Sequence, residues 1–177
     1  MSLPPLYTSA EVREIETSAQ REHPSPTLMQ RAGLAAADCV DSILGKKSRG
    51  VLVIAGPGNN GGDAFEAATL LKQRFHRVEL LFAGERGRLS ADASAALQRW
   101  EAAGGTYLGR FPEDAPRRYG LVVDGLFGIG LTRSLEGRLA ALVDAMNDTG
   151  VPVLALDVPS GLNADTGAVM GTAVRSE

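Results

Sequence analysis

Cysteine, histidine and tryptophan are almost missing: the 177 residues carry one Cys, two His and one Trp. A lone thiol, Cys39, excludes an internal disulfide framework and a cysteine zinc cluster, and makes a reduced, cytoplasmic protein the expectation. The two imidazoles, His23 and His76, fall in polar, loop-like contexts and are expected at the surface rather than in acid–base chemistry. Long hydrophobic runs are missing as well. No segment reads as a membrane span, and the first residues show no basic stretch leading into an apolar one. Charge of one sign is not in large excess: 18 Lys and Arg against 21 Asp and Glu give a net charge of −3. That excludes the basic field of a non-specific nucleic-acid binder. An anionic ligand would have to be held locally, by backbone amides or by a metal ion.

What is present is ordinary in bulk and specific in pattern. Apolar residues make up 44% and charged residues 22%, as in soluble globular proteins, and the length suits one domain around one core. Thr8-Ser9-Ala10-Glu11 is a capping box opening a helix that carries Val12, Ile15 and Ala19 at helical spacing. His23-Pro24-Ser25-Pro26 breaks it. A second helix is expected from about Thr27 to Gly45, with Leu28, Met29, Ala32, Ala36, Cys39, Val40 and Ile43 on its buried face. Cys39 is therefore expected in the core.

Beyond it, short apolar runs alternate with helical patterns. Val51–Ala55, Val78–Phe82, Leu121–Asp124 and Val153–Asp157 read as strands, with a weak one near Thr106–Leu108. Gly62–Arg74, Ser90–Ala103 and Leu135–Asn147 read as helices. Such alternation means a mostly parallel sheet with right-handed crossovers. Trp100 and Phe82 are expected to pack, and Arg110, Arg117 and Arg118 to lie on solvated loop.

Gly56-Pro57-Gly58-Asn59-Asn60-Gly61-Gly62-Asp63 follows the first apolar strand and leads into a helix. Gly56, Gly58 and Gly61 satisfy G-x-G-x-x-G, the pattern that brings helix-start amides up to a phosphate. A bare strand-to-helix turn would satisfy it too. Two details speak against an ordinary NAD dehydrogenase. Polar Asn59, Asn60 and Asp63 crowd the turn, and the ribose-binding acid would be Glu79, inside a strand instead of at its end. Nor is there a histidine or a tyrosine–lysine pair suited to hydride transfer.

Two further strands each lead into a carboxylate and a glycine-bearing loop: Asp124-Gly125-Leu126-Phe127-Gly128-Ile129-Gly130 and Asp157-Val158-Pro159-Ser160-Gly161. Parallel sheets bind ligands beyond the carboxyl ends of their strands, so both aspartates should meet the glycine turn at one rim. Two carboxylates beside an anion need a cation or a proton between them. Oxygen donors alone suit K⁺, Na⁺, Mg²⁺ or Ca²⁺. The alternative is that each Asp only stabilises its turn.

At GPGNNGGD (Gly56–Asp63), VDGLFGIGL (Val123–Leu131) and LDVPSGLNADTG (Leu156–Gly167) the chain resembles the YjeF N-terminal domain family, the NAD(P)H-hydrate epimerases. Leu28–Gly33 is similar to the family's N-terminal helical motif. The resemblance runs from about Tyr7 to Thr172 and implies a Rossmann-like three-layer α/β/α sandwich, usually a homodimer. It implies an isomerase of nicotinamide nucleotide repair. The substrates would be the R and S forms of NADHX and NADPHX, with a separate dehydratase acting on the S form. Carried over by motif position, substrate contacts would come from Asn59, Asn60, Gly61, Gly62, Asp63, Gly128, Ile129, Gly130, Leu131, Thr132, Arg133, Ser134 and Asp157. Asn60, Asp124 and Ser160 would hold K⁺.

The chain departs from the family pattern at Ala64, where Gly is usual and a methyl is expected to crowd the helix, and at Ile129, where Thr is usual. Family members also continue with strands beyond the position of Glu177, so residues 1–177 are expected to form one domain without the last strands of the sheet. These departures leave open a binding or scaffold protein of the same fold. For epimerisation the ring hydroxyl must leave and return on the other face, or the ring must open and reclose. Either route needs a proton carrier. Asp157 is the expected catalytic group, with Asp63 as the second candidate.

Overall fold

The central strand shows why the chain folds in layers. In the computed structural model, which describes residues 5–45 and 49–176, β1 (Gly50–Ala55) is buried at every position. Side chains alternate across a strand. Val51, Val53 and Ala55 therefore enter one core with helices on their side, and Leu52 and Ile54 enter a second core on the opposite face. The elements run α1 (Ser9–Glu22), α2 (Leu28–Leu44), β1, α3 (Asn59–Gln73), β2 (Val78–Phe82), α4 (Ala91–Ala102), β3 (Thr106–Tyr107), α5 (Ala115–Arg118), β4 (Tyr119–Gly125), α6 (Gly137–Asp148) and β5 (Val153–Ala155). The sheet is wholly parallel in the order β3-β2-β1-β4-β5. Helices α2, α3 and α4 cover one face, and α6 covers the other. This is the expected three-layer α/β/α sandwich. The winding direction reverses between β1 and β4, which opens a crevice at their carboxyl ends.

Several local expectations change. Helix α3 starts at Asn59, three residues before the expected Gly62, so the asparagines are its first turn and only Gly56–Gly58 link it to β1. Strand β5 stops at Ala155, leaving Asp157 outside it. Arg118 does not lie in solvated loop. It ends the short α5 and pairs with Glu79 of β2, which also accepts the Tyr119 hydroxyl at 2.7 Å.

Helix α2 keeps Met29, Ala36 and Val40 inside as expected but is rotated from its expected pose at the rest of the stripe. Its buried stripe is Met29, Gly33, Ala36, Ala37, Val40 and Leu44. Ala32, Cys39 and Ile43, expected inside, are exposed. The cause is Gly33. A Cβ there would overlap the Glu66 side chain and press on the α3 backbone, so the two helices close over this glycine. That contact outweighs the apolar stripe of Leu28, Ala32, Cys39 and Ile43.

Helix α1 has its capping box but no buried residue, so Val12, Ile15 and Ala19 reach no core. It is tied at its two ends. Ser9 N–H donates to Asp165 Oδ1 at 2.6 Å, and Gln20 accepts from Leu28 N–H at 3.0 Å while donating to Pro24 O. Among the described residues no helix is long and apolar enough to cross a membrane.

Candidate functional site

Where β1 and β4 diverge, Gly56 and Leu126 touch. A Cβ on Gly56 would overlap the Leu126 carbonyl, and one on Gly61 would overlap Gly56. The first and third glycines of the fingerprint therefore exist for close backbone crossing. Gly58 faces open space and caps α3 with no side-chain bond, so the helix-start amides stay free for a ligand.

Above this turn lies a cavity of about 910 Å³, lined by Asn59, Asn60, Asp63, Gly128, Ile129, Gly130 and Asp157, among others. Its size is that of a small-molecule site. Not every residue carried over by motif lines it. Gly62 is turned into packing against Met29 and Ala93, and Gly61 against Gly56. Leu131 is buried in the second core, and Thr132, Arg133 and Ser134 are exposed outside the lining.

The Asp157 carboxylate reaches the cavity from the loop after β5, with φ at +63°, a left-handed conformation that Asp tolerates better than most residues. Its Oδ2 accepts the Ile129 amide at 2.7 Å. A Cβ on Gly128 would overlap that oxygen, so this glycine makes room for the carboxylate. Asp63 looks into the same space from α3. Burial, then the charges of Asp157, Glu16 and Glu66, push its carboxyl up to about 7.

Asp124, Ser160 and Asn60 are buried under the turn. Asp124 Oδ1 accepts the Leu126 amide at 3.1 Å and the Ser160 hydroxyl at 2.7 Å, and Oδ2 accepts the Ser160 amide at 2.9 Å. Burial still drives the Asp124 carboxyl upward against these bonds. The turn-stabilising role weighed for this aspartate is thus present. Asn60 is different: neither side-chain atom has a partner, an arrangement buried amides rarely keep.

The sequence reading missed the far wall, which comes from α1, α2 and α4: Arg13, Glu16, Leu28, Cys39 and Asp92. The only signal was the helical spacing of Arg13 and Glu16 on one face of α1.

The family described as "YjeF-related protein N-terminus" matches residues 25–177. The chain belongs to that family. A relative named "NAD(P)H-hydrate epimerase" from Bordetella pertussis strain Tohama I is 51% identical over 161 residues, covering 91% of this chain and 68% of the relative. One of the same name from Achromobacter xylosoxidans is 46% identical over 98% of this chain and 81% of its own. The crystal structure of a yeast protein, ynu0 (YNL200c), superposes with a TM-score of 0.84 at 22% identity, covering 98% of this chain and 78% of that one. That structure supports the fold. Two of the departures from the YjeF pattern, Ala64 and Ile129, are accommodated. Ala64 is fully buried against Gly125, which has no side chain to oppose its methyl, and Ile129 meets Asp157 through its backbone amide.

Proposed function

We propose that this chain is an NAD(P)H-hydrate epimerase, an isomerase interconverting the R and S forms of NADHX and NADPHX. The reading rests on the name shared by relatives up to 51% identical across nine-tenths of the chain. The cavity offers chemistry that fits it. Asp63, with its carboxyl raised to about 7, can give a proton to the ring hydroxyl at neutral pH. The C–O bond breaks, water departs, and the ring carries an iminium charge. The Asp157 carboxylate faces that charge and stabilises it. Water adds to the other face and returns a proton to Asp63. No electron is gained or lost overall. Asp157 thereby remains catalytic, while the proton falls to Asp63 because burial raises its carboxyl to about 7, where it can both give and take a proton. Incubating R-NADHX with the protein and separating the epimers chromatographically tests the reading. Approach to an R/S mixture faster than in a protein-free control is expected; an unchanged rate contradicts it.

In this proposal K⁺ is held by Asn60, Asp124 and Ser160. The donor set fits: a carboxylate, an amide and a hydroxyl, all hard oxygens, with the Asn60 amide otherwise unpartnered. A monovalent cation bound by these residues would supply positive charge to balance the site's carboxylates against an anionic ligand. Thermal melting checks it without substrate. A higher Tm in KCl than in LiCl, lost on Asn60→Ala, is expected from ligand linkage. The proposal also includes a homodimer, a cytoplasmic location and a separate dehydratase that consumes the S form.

A further inference from the structure

The cavity wall is acidic where its proposed ligand is anionic. Glu16, Asp63, Asp92 and Asp157 all line it, and among the described lining residues Arg13 is the one Lys or Arg. Arg13 belongs to α1, which buries no residue of its own and so is not held in place by a core. The ties of Ser9 to Asp165 and of Gln20 to Leu28 hold it beside the cavity, which its Arg13 and Glu16 line. From there the guanidinium reaches the Gly128–Gly130 loop, with Nη2 about 4.0 Å from the position a Cβ would take on Gly130. No salt bridge joins Arg13 to a carboxylate among the described residues; Asp165, the acid that feels its charge, is engaged by Ser9. The guanidinium thus keeps its donors free beside a backbone loop that lines the same cavity as the start of α3.

We propose that Arg13 is a substrate-binding residue, the side-chain cation that meets the pyrophosphate of the dinucleotide between the α3 amides and the Gly128–Gly130 loop. The family model's match begins at residue 25, after α1. The planar, multi-donor guanidinium suits a phosphate oxygen pair. Its location on α1 makes the helix a strap that contributes binding and takes no part in the chemistry. The identity of the ligand rests on the epimerase reading; the need for a cation follows from the acidic lining itself.

The test compares the parent, Arg13→Gln, Arg13→Lys and Arg21→Gln, the last on the same helix but outside the lining. Two readouts are taken: calorimetric binding of ADP-ribose, which carries the pyrophosphate without the nicotinamide ring, and epimerisation of R-NADHX. The expected result is about tenfold weaker ADP-ribose binding and about tenfold higher KM in Arg13→Gln, with kcat within twofold. Arg13→Lys recovers part of the loss, and Arg21→Gln matches the parent. ADP-ribose affinity and KM unchanged in Arg13→Gln overturn the inference and leave the epimerase reading intact. If the parent binds ADP-ribose but does not epimerise, the epimerase reading fails, and the Arg13→Gln affinity alone decides for or against the contact. A parent that binds neither ligand overturns both. Arg13 is exposed, so the variants should melt with the parent, and circular dichroism checks that.

Discussion

At the residue scale, Asp63 decides how the site responds to pH. Its carboxyl is raised from 3.8 to about 7, first by burial and then by the Asp157, Glu16 and Glu66 charges; Arg13 and Asp92 share the cavity. A proton donor with that value is loaded below about 7, so kcat should hold steady there and fall as pH rises further. In Asp63→Asn that limb should vanish with most of the activity; a parent kcat that climbs from about pH 7 to 9 contradicts the assignment. The same shift has a stability consequence. The folded value lies above the unfolded one, so ionisation opposes folding: the penalty is absent below 3.8, grows up to about 7 and is constant above. Asp63→Asn should therefore gain Tm over the parent at about pH 8 and lose that gain at about pH 4, read by calorimetry. Gly128 gives another prediction. A methyl there would overlap Asp157 Oδ2, so Gly128→Ala should displace the carboxylate and lower kcat about a hundredfold with little change in Tm. Asp63, Asp157 and Asn60 were legible as residues because strand-end and helix-start positions predict a shared rim. The division of labour proposed for them was not, because burial and neighbouring charge are not written in spacing.

At the element scale, the strands were read to within two residues because continuous apolar runs such as Val51–Ala55 have one stable use, a strand covered on both faces. The helices were harder. The start of α3 was placed three residues late because Asn59 and Asn60 look like turn residues, yet they form its first turn behind Gly58. The face of α2 was read only in part: Met29, Ala36 and Val40 were placed inside correctly, but apolar count also favours Leu28, Ala32, Cys39 and Ile43, while helix–helix distance favours Gly33 and Ala37. Close approach won over apolar area. Gly33→Ala should then cost about 1–3 kcal/mol by overpacking against Glu66, measured by denaturant unfolding; a loss below about 0.5 kcal/mol would show that α2 is not pressed onto α3 there. The outward stripe left by this rotation gives the cavity its apolar wall of Leu28, Ala32, Ala35 and Cys39. Helix α1 escaped the reading entirely as a site element. It lies 46 residues before the glycine turn in the chain, if Arg13 and Asn59 are taken as the two ends, and only the fold brings them together.

At the scale of the whole molecule, the strand order β3-β2-β1-β4-β5 turns three separate motifs into one place. The glycine turn follows β1, the 126–130 segment follows β4, and the Asp157 loop follows β5, so neighbouring strands deliver neighbouring loops. A doubly wound sheet does this for any chemistry. What makes this instance specific is two carboxyl groups, one raised to about 7 by burial and one held open by Gly128 and the Ile129 amide, across a cavity of about 910 Å³. The most direct measurement is the rate of R-to-S NADHX conversion by Asp157→Asn at saturating substrate, alongside its affinity for ADP-ribose. Asn keeps the left-handed backbone position and the size of the side chain while removing the charge. A kcat at least about a hundredfold below the parent, with ADP-ribose affinity within threefold, is the predicted result. Conversion at the parent's rate would contradict it.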